Sequence, residues 1–250
     1  MKSEPKYVAF STQKGGAGKT TLTVLVASYL HYVKGYNVAV IDCDYPQHSV
    51  SGMRERDLKM ATDDEYYKGM AYEQFTRLDK KAYPVIESSP EEALADADHI
   101  IKQRDFDFIF FDLPGTVNMK GVLKTLVNVD YIIAPISADR VVMESTLEYL
   151  ISLREQVAAV GKTHIKEIRL LWNMVDGREK SELYDVYDGV IKELGFTTLQ
   201  TFVPDSKRFR KEQNISHKAL FRSTLFPADK TLVKGSNIDA LVDELLELLK

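Results

Sequence analysis

Lys14-Gly15-Gly16-Ala17-Gly18-Lys19-Thr20-Thr21 follows an apolar run, Tyr7-Val8-Ala9-Phe10, and precedes a helical pattern of Leu22, Val26 and Leu30. Strand, glycine loop and helix in that order form the setting of a phosphate-binding loop. Glycines let backbone N–H groups close around a polyphosphate, and the helix N-terminus adds a favourable dipole. In this reading Gly15, Gly16, Ala17, Gly18 and Thr21 cradle the phosphates, Lys19 reaches the β- and γ-phosphates, and the Thr20 hydroxyl holds Mg²⁺.

Outward from the loop, strand and helix patterns alternate. Strands are expected at 7–12, 38–42, 85–86, 108–112, 131–136, 168–173 and 198–203. Helices are expected at 20–33, 90–103, 140–160, 179–194 and 237–249, with Ser89 as the N-cap of the second and a mostly helical pattern over 46–83. The rhythm predicts an α/β fold of three layers around a mostly parallel, twisted sheet. The 250 residues suit one large domain spanning 1–250. Ligands in such folds sit beyond the carboxyl ends of the strands.

Two of those ends carry acids. Phe108-Ile109-Phe110-Phe111 closes in Asp112, the pattern of a strand whose terminal carboxylate holds Mg²⁺ directly or through water; Leu113-Pro114-Gly115 after it suits a loop that senses the γ-phosphate. Val38–Ile41 closes in Asp42-Cys43-Asp44, and strand alternation puts Asp42 and Asp44 on one side and Cys43 in the core. Capping of a helix or turn is the other reading of that pair. A strand-end acid capping a turn is the plain alternative for Asp112.

Cys43 is the single cysteine, which leaves no intrachain disulfide and no multi-cysteine metal site. No signal peptide is evident and no apolar run reaches about 18 residues, so a cytoplasmic protein is expected. The formal charge of −4 argues against a wholly basic coat.

The loop departs from the general pattern in two ways. Gln13 stands where a glycine is usual, and Lys14 precedes the glycine pair. KGGxGK[ST]T is the deviant Walker A motif, and the chain resembles the ParA/MinD family of ATPases over nearly its whole length. In detail it is most similar to ParA-type proteins of conjugative transposons. The resemblance implies a P-loop NTPase fold, Mg²⁺-dependent ATP hydrolysis and an ATP-dependent homodimer in which Lys14 crosses to the partner's nucleotide. Read alone, Lys14 is equally a phosphate contact within its own chain or a solvated charge. The resemblance further implies that Asp44 orients the attacking water, and that Asn173, Pro204 and Asp205 meet the adenine. Asp42 is expected behind the loop lysines. The family's usual continuation is D-x-D-P-Q, whereas this chain inserts Tyr45 before Pro46-Gln47. Either the turn bulges and keeps Asp44 in place, or hydrolysis is slow.

Lys207, Arg208, Arg210, Lys211, Lys218 and Arg222 are opposed locally by Glu212 alone, giving +5 in a chain of −4 and leaving −9 elsewhere. Such a patch is the footprint of a polyanion site, and the resemblance implies non-specific DNA. A solvated or salt-bridged face is the bland alternative. A ParB-like activator is the implied protein partner, and segregation of a mobile or conjugative element the implied setting. Residues 237–249 form an amphipathic pattern, as in MinD-like membrane-positioning relatives, but Asp239, Asp243, Glu244 and Glu247 would be repelled by anionic lipid. Packing on the domain is expected, with no membrane partner. Residues 51–83 match no chemical motif; Arg54, Arg56, Asp63, Asp64, Glu65, Tyr66 and Tyr67 read as an exposed helical face. Three other functions share the fold: a MinD-like positioning ATPase, an ATP-dependent amide or ring-closing ligase, and a non-hydrolysing nucleotide switch.

Overall fold

In a computed structural model, described over residues 4–115, 121–178, 181–211 and 219–249, seven parallel strands form one sheet in the order β3-β2-β4-β1-β5-β6-β7. The strands are β1 (Lys6–Phe10), β2 (Val38–Asp42), β3 (Val85–Glu87), β4 (Phe108–Asp112), β5 (Tyr131–Ile136), β6 (Glu167–Trp172) and β7 (Thr197–Thr198). Every residue of β2, β4 and β5 is buried, which is why these strands read as continuous apolar runs rather than alternating ones. Side-chain alternation still sorts them. Val8, Phe10, Val40 and Phe110 face one layer; Ala9, Ile41, Ile109 and Phe111 face the other.

The first layer holds α1 (Lys19–Tyr32), α2 (Ser49–Asp63) and α9 (Ile238–Leu248); the second holds α4 (Ala93–Ile101), α5 (Val122–Leu126), α6 (Arg140–Val160) and α7 (Ser181–Glu193). The helix α3 (Glu65–Leu78) packs on α2 at the rim, and α8 (Lys230–Val233) leads into α9. Each fully buried Leu or Phe in these layers contributes about 1.5–3 kcal/mol. Cys43 is a core residue, as expected, and so is Trp172, whose indole N–H donates to Asp188 at 3.1 Å. The apolar face of α9, Ile238, Leu241, Val242 and Leu245, is buried in the layer that contains α1.

Three expectations are corrected. The helix expected over 90–103 begins only at Ala93. Residues 90–92 form a turn whose Pro90 carbonyl accepts from the Thr125 hydroxyl at 2.9 Å, and whose backbone lies against Gly121. Ser89 caps that turn, its hydroxyl accepting from the Glu92 amide at 3.3 Å. The strand expected over 198–203 is cut to Thr197–Thr198, because the amides of Gln200 and Thr201 leave the ladder to donate to the Glu244 carboxylate at 2.7 and 2.8 Å. The chain rejoins the line of β6 where Val203 N–H donates to the Trp172 carbonyl at 2.8 Å.

The third correction concerns the helical face in 51–83. Tyr67 is buried, and Arg54 lies partly buried across the Tyr83 ring while donating to the hydroxyl and carbonyl of Thr224. Beside it, Asp57 is 2 % exposed. One of its oxygens accepts from the Ser223 hydroxyl, the Thr224 amide and the Thr224 hydroxyl at 2.9, 2.6 and 2.9 Å. Asp57→Ala leaves those buried donors without an acceptor and should cost about 3 kcal/mol. Urea unfolding is the check, and an unchanged midpoint would contradict the clamp.

Candidate nucleotide-binding site

Loop 13–18 leaves β1 where Ser11 and Thr12 are tied to α6: the Ser11 hydroxyl bonds the Tyr149 hydroxyl at 2.5 Å and the Thr12 hydroxyl bonds that of Thr146 at 3.0 Å. The loop then turns through Gly16 at φ 79° and Gly18 at φ 93°, left-handed values that favour glycine, and Gly18 caps α1. Gly18 has a second reason to lack a side chain. A Cβ there would lie 2.7 Å from the Asn173 amide nitrogen, which donates to the Ala17 carbonyl at 2.8 Å. Gly115 approaches as closely from the other side, where a Cβ would meet the Gln13 carbonyl at 2.8 Å and the Lys19 ammonium at 3.2 Å. Loop, Asn173 and Gly115 thus line one cleft of about 740 Å³ with Lys19, Thr20, Thr21 and Asp44.

The acids stand at the carboxyl ends of adjacent strands. Asp42 and Asp112 are partners in the β2–β4 register and both are fully buried. Thr20 Oγ1 donates to Asp112 Oδ2 at 2.8 Å, while Asp112 Oδ1 is buried with no hydrogen-bond partner. Burial raises the Asp112 pKa to about 7; the Thr20 bond and Lys19 oppose the rise, and Asp42 and Asp44 add to it. A hydroxyl and a carboxylate oxygen converging beside a phosphate loop, with a buried oxygen still lacking a partner, fit a hard divalent cation such as Mg²⁺. Asp42 has another duty: its Oδ2 accepts from the Ser51 amide at 2.8 Å, holding the first turn of α2.

Tyr45 is accommodated by a bulged turn. Tyr45 N–H donates to the Cys43 carbonyl and His48 N–H to the Asp44 carbonyl, at 2.8 and 2.9 Å. The tyrosine ring is 62 % exposed, whereas Asp44 lines the cleft. Burial raises the pKa of Asp44, opposed by Lys19, while burial lowers that of Lys19, opposed by Asp112 and Asp44. Lys14 is exposed on the loop, beside Ser137 and Met174.

The cleft is also lined by Pro204, Asp205 and Ser206, and by Gln47, Met174 and Phe209, which the sequence did not single out. Met174 sits at φ 57°, a backbone strain with no sequence signature. The basic cluster divides. Lys207 and Lys211 are exposed, and Arg210 is exposed where it lines the cleft; Arg208 is turned inward onto the Leu232 and Lys234 carbonyls at 2.8 and 2.6 Å; Arg222 also lines the cleft, donating to the Thr21 hydroxyl at 2.5 Å. Lys218, with Glu212 and His217, lies outside the described residues.

Residues 8–217 match the family described as the CobQ/CobB/MinD/ParA nucleotide binding domain, and the chain belongs to that family. An uncharacterised protein of Borreliella burgdorferi is 24% identical over 260 residues, covering 94% of this chain and 99% of that protein. The chromosome-partitioning ATPase Soj of Thermus thermophilus is 25% identical over 187 residues, 71% of this chain and 73% of that one. A plasmid partition protein of Borrelia burgdorferi bound to AMPPNP shares the fold, with a TM-score of 0.60 at 17% identity over 98% of this chain and 100% of its own.

Folded Asp112 keeps its proton up to about pH 7, whereas an unfolded aspartate releases it near pH 3.9. The folded state therefore binds more protons between those values, and this group's contribution to stability falls as pH rises from about 4 to 7. Asp112→Asn removes the buried charge. It should raise nucleotide-free stability at pH 8 by on the order of 1–3 kcal/mol and have little effect at pH 4. Urea midpoints at the two pH values measure this; a loss of stability at pH 8 would contradict it.

Proposed function

We propose that the chain is a ParA-type ATPase that binds DNA without sequence preference and partitions or positions a DNA cargo for a mobile or conjugative element. The observation that carries the ATPase part is the Thr20–Asp112 bond, which joins the first turn of α1 to the end of β4 within reach of Lys19. The backbone amides of the loop and the α1 N-terminus bind the polyphosphate, and Lys19 neutralises its β- and γ-oxygens. Thr20 and Asp112 would hold Mg²⁺, which supplies further charge neutralisation on the phosphates when bound. Asp44 faces the same space and orients the water that attacks in line. Its raised pKa suits a group that accepts a hydrogen bond from that water. Asp42 supports the arrangement from behind by fixing the start of α2. Asn173, Pro204 and Asp205 bound the adenine end.

Lys14, exposed on the loop, is the residue that leaves its own subunit in this reading. In an ATP-bound homodimer it reaches the partner's phosphates. Pairing two subunits also pairs their basic segments, which multiplies affinity for DNA without a new contact. Lys207, Arg210 and Lys211 are the described members of the cluster best exposed for that contact. A ParB-like protein is the expected activator of hydrolysis. The MinD-like alternative would need a free amphipathic surface at the C-terminus, yet the apolar face of α9 is already buried. No helix among the described residues is long and apolar enough to cross a membrane.

Two experiments separate the parts. Lys19→Ala should abolish ATP turnover, and Asp44→Ala should retain ATP binding while losing hydrolysis; normal turnover in either variant removes that residue's role. Binding to a random duplex should require ATP and weaken steeply with salt. It should also fall when Lys207 and Lys211 are both replaced by Glu. Salt-insensitive binding, or none with any nucleotide, would leave the ATPase without this cargo.

A further inference from the structure

Arg222 is read from sequence as one of a row of surface cations, yet its guanidinium ends inside the cleft. It donates to the hydroxyl of Thr21, 201 positions earlier in the chain, at 2.5 Å. We infer that Arg222 is a ligand of the bound nucleotide's phosphates rather than part of the DNA surface; this rests on the nucleotide reading above.

Three observations support the assignment. First, the position is built. Phe221 and Arg222 both donate their amides to the Lys211 carbonyl, at 2.9 and 3.0 Å. The next two residues are clamped by Asp57, and the Ser223 carbonyl accepts from the Ser28 hydroxyl of α1 at 2.7 Å. A side chain anchored on both flanks is aimed, not draped. Second, the surroundings of Arg222 are cationic. Thr21 is in the first turn of α1, where the helix dipole presents positive charge, and Lys19 shares the cleft. Burial and the Arg56 guanidinium both disfavour the charged form of Arg222, and Asp57 opposes them. A polyphosphate is the anion the loop is shaped for, and bound there it would lie beside a guanidinium already held by Thr21. Third, guanidinium suits the task. It is always charged, and its planar fork can bond the Thr21 hydroxyl and a phosphate oxygen together.

The test uses the full chain, with Arg222→Gln and Arg222→Lys compared with wild type by equilibrium binding of a fluorescent ATP analogue and by thermal unfolding. Arg222→Gln should weaken nucleotide binding roughly 10-fold or more, as for loss of a charge-assisted hydrogen bond, and Arg222→Lys should fall between. The rise in melting temperature that ATP brings should shrink in Arg222→Gln. Unchanged nucleotide affinity in both variants would overturn the assignment. A lower nucleotide-free melting temperature with unchanged affinity would make Arg222 a structural strut instead. Should Arg222→Gln fail to fold, the affinity of Arg222→Lys decides. Failure of the wild-type chain to bind the analogue would instead overturn the nucleotide reading itself.

Discussion

A buried carboxylate needs a reason to be charged, and the arrangement of this molecule follows from supplying one to Asp112. The parallel sheet brings the carboxyl ends of β1, β2 and β4 to one edge, so the phosphate loop and the two acid-bearing strand ends converge there. Asp42 and Asp112 stand side by side with Asp44 just beyond, a concentration of negative charge that raises the Asp112 pKa. The Thr20 hydroxyl and Lys19 compensate it only in part, and the orphaned Asp112 oxygen marks what is missing. The loop amides, Lys19 and Arg222 supply positive character to the same cleft. A polyphosphate with a divalent cation complements both kinds of charge at once. The cost of leaving the Asp112 oxygen without a partner becomes binding free energy for that ligand.

The rest of the fold holds these groups in register. Ser11 and Thr12 fasten the loop's entry to α6, and Asn173 fastens its exit through Ala17. Gly18 and Gly115 lack side chains where other groups must come closer than a Cβ permits. The Asp57 clamp performs the matching task on the other side, fixing the segment that carries Arg222 onto α2, which itself starts from the Asp42–Asp44 turn. A single buried carboxylate therefore anchors the segment that carries a cation into the cleft.

Much of this was legible in the sequence, for physical reasons. The phosphate loop is local: glycines, lysine and threonine at fixed spacing between a strand and a helix leave few other readings. The strands of a doubly covered sheet are continuous apolar runs, so β2, β4 and β5 were bounded to the residue. What failed depended on distant partners. The amides of Gln200 and Thr201 match a strand until Glu244 accepts them. Pro90 begins a turn whose carbonyl is taken by Thr125 and whose backbone lies against Gly121. Tyr67 and Arg54 sit on helices of polar composition, and only residues 223–226 and Tyr83 reveal why they are covered. Arg222 lies in a run of cations, where charge counting cannot distinguish a side chain pointing outward from one pointing into a cleft.

The most direct measurement is isothermal titration of the chain with a non-hydrolysable ATP analogue, with and without Mg²⁺, in buffers of different ionisation enthalpy at pH 6.5. The account predicts saturable binding of one nucleotide per chain, tightened by Mg²⁺. It also predicts proton release on Mg²⁺-dependent binding, as Asp112 gives up the proton that burial holds on it. Binding that is indifferent to Mg²⁺ and releases no proton would contradict the account.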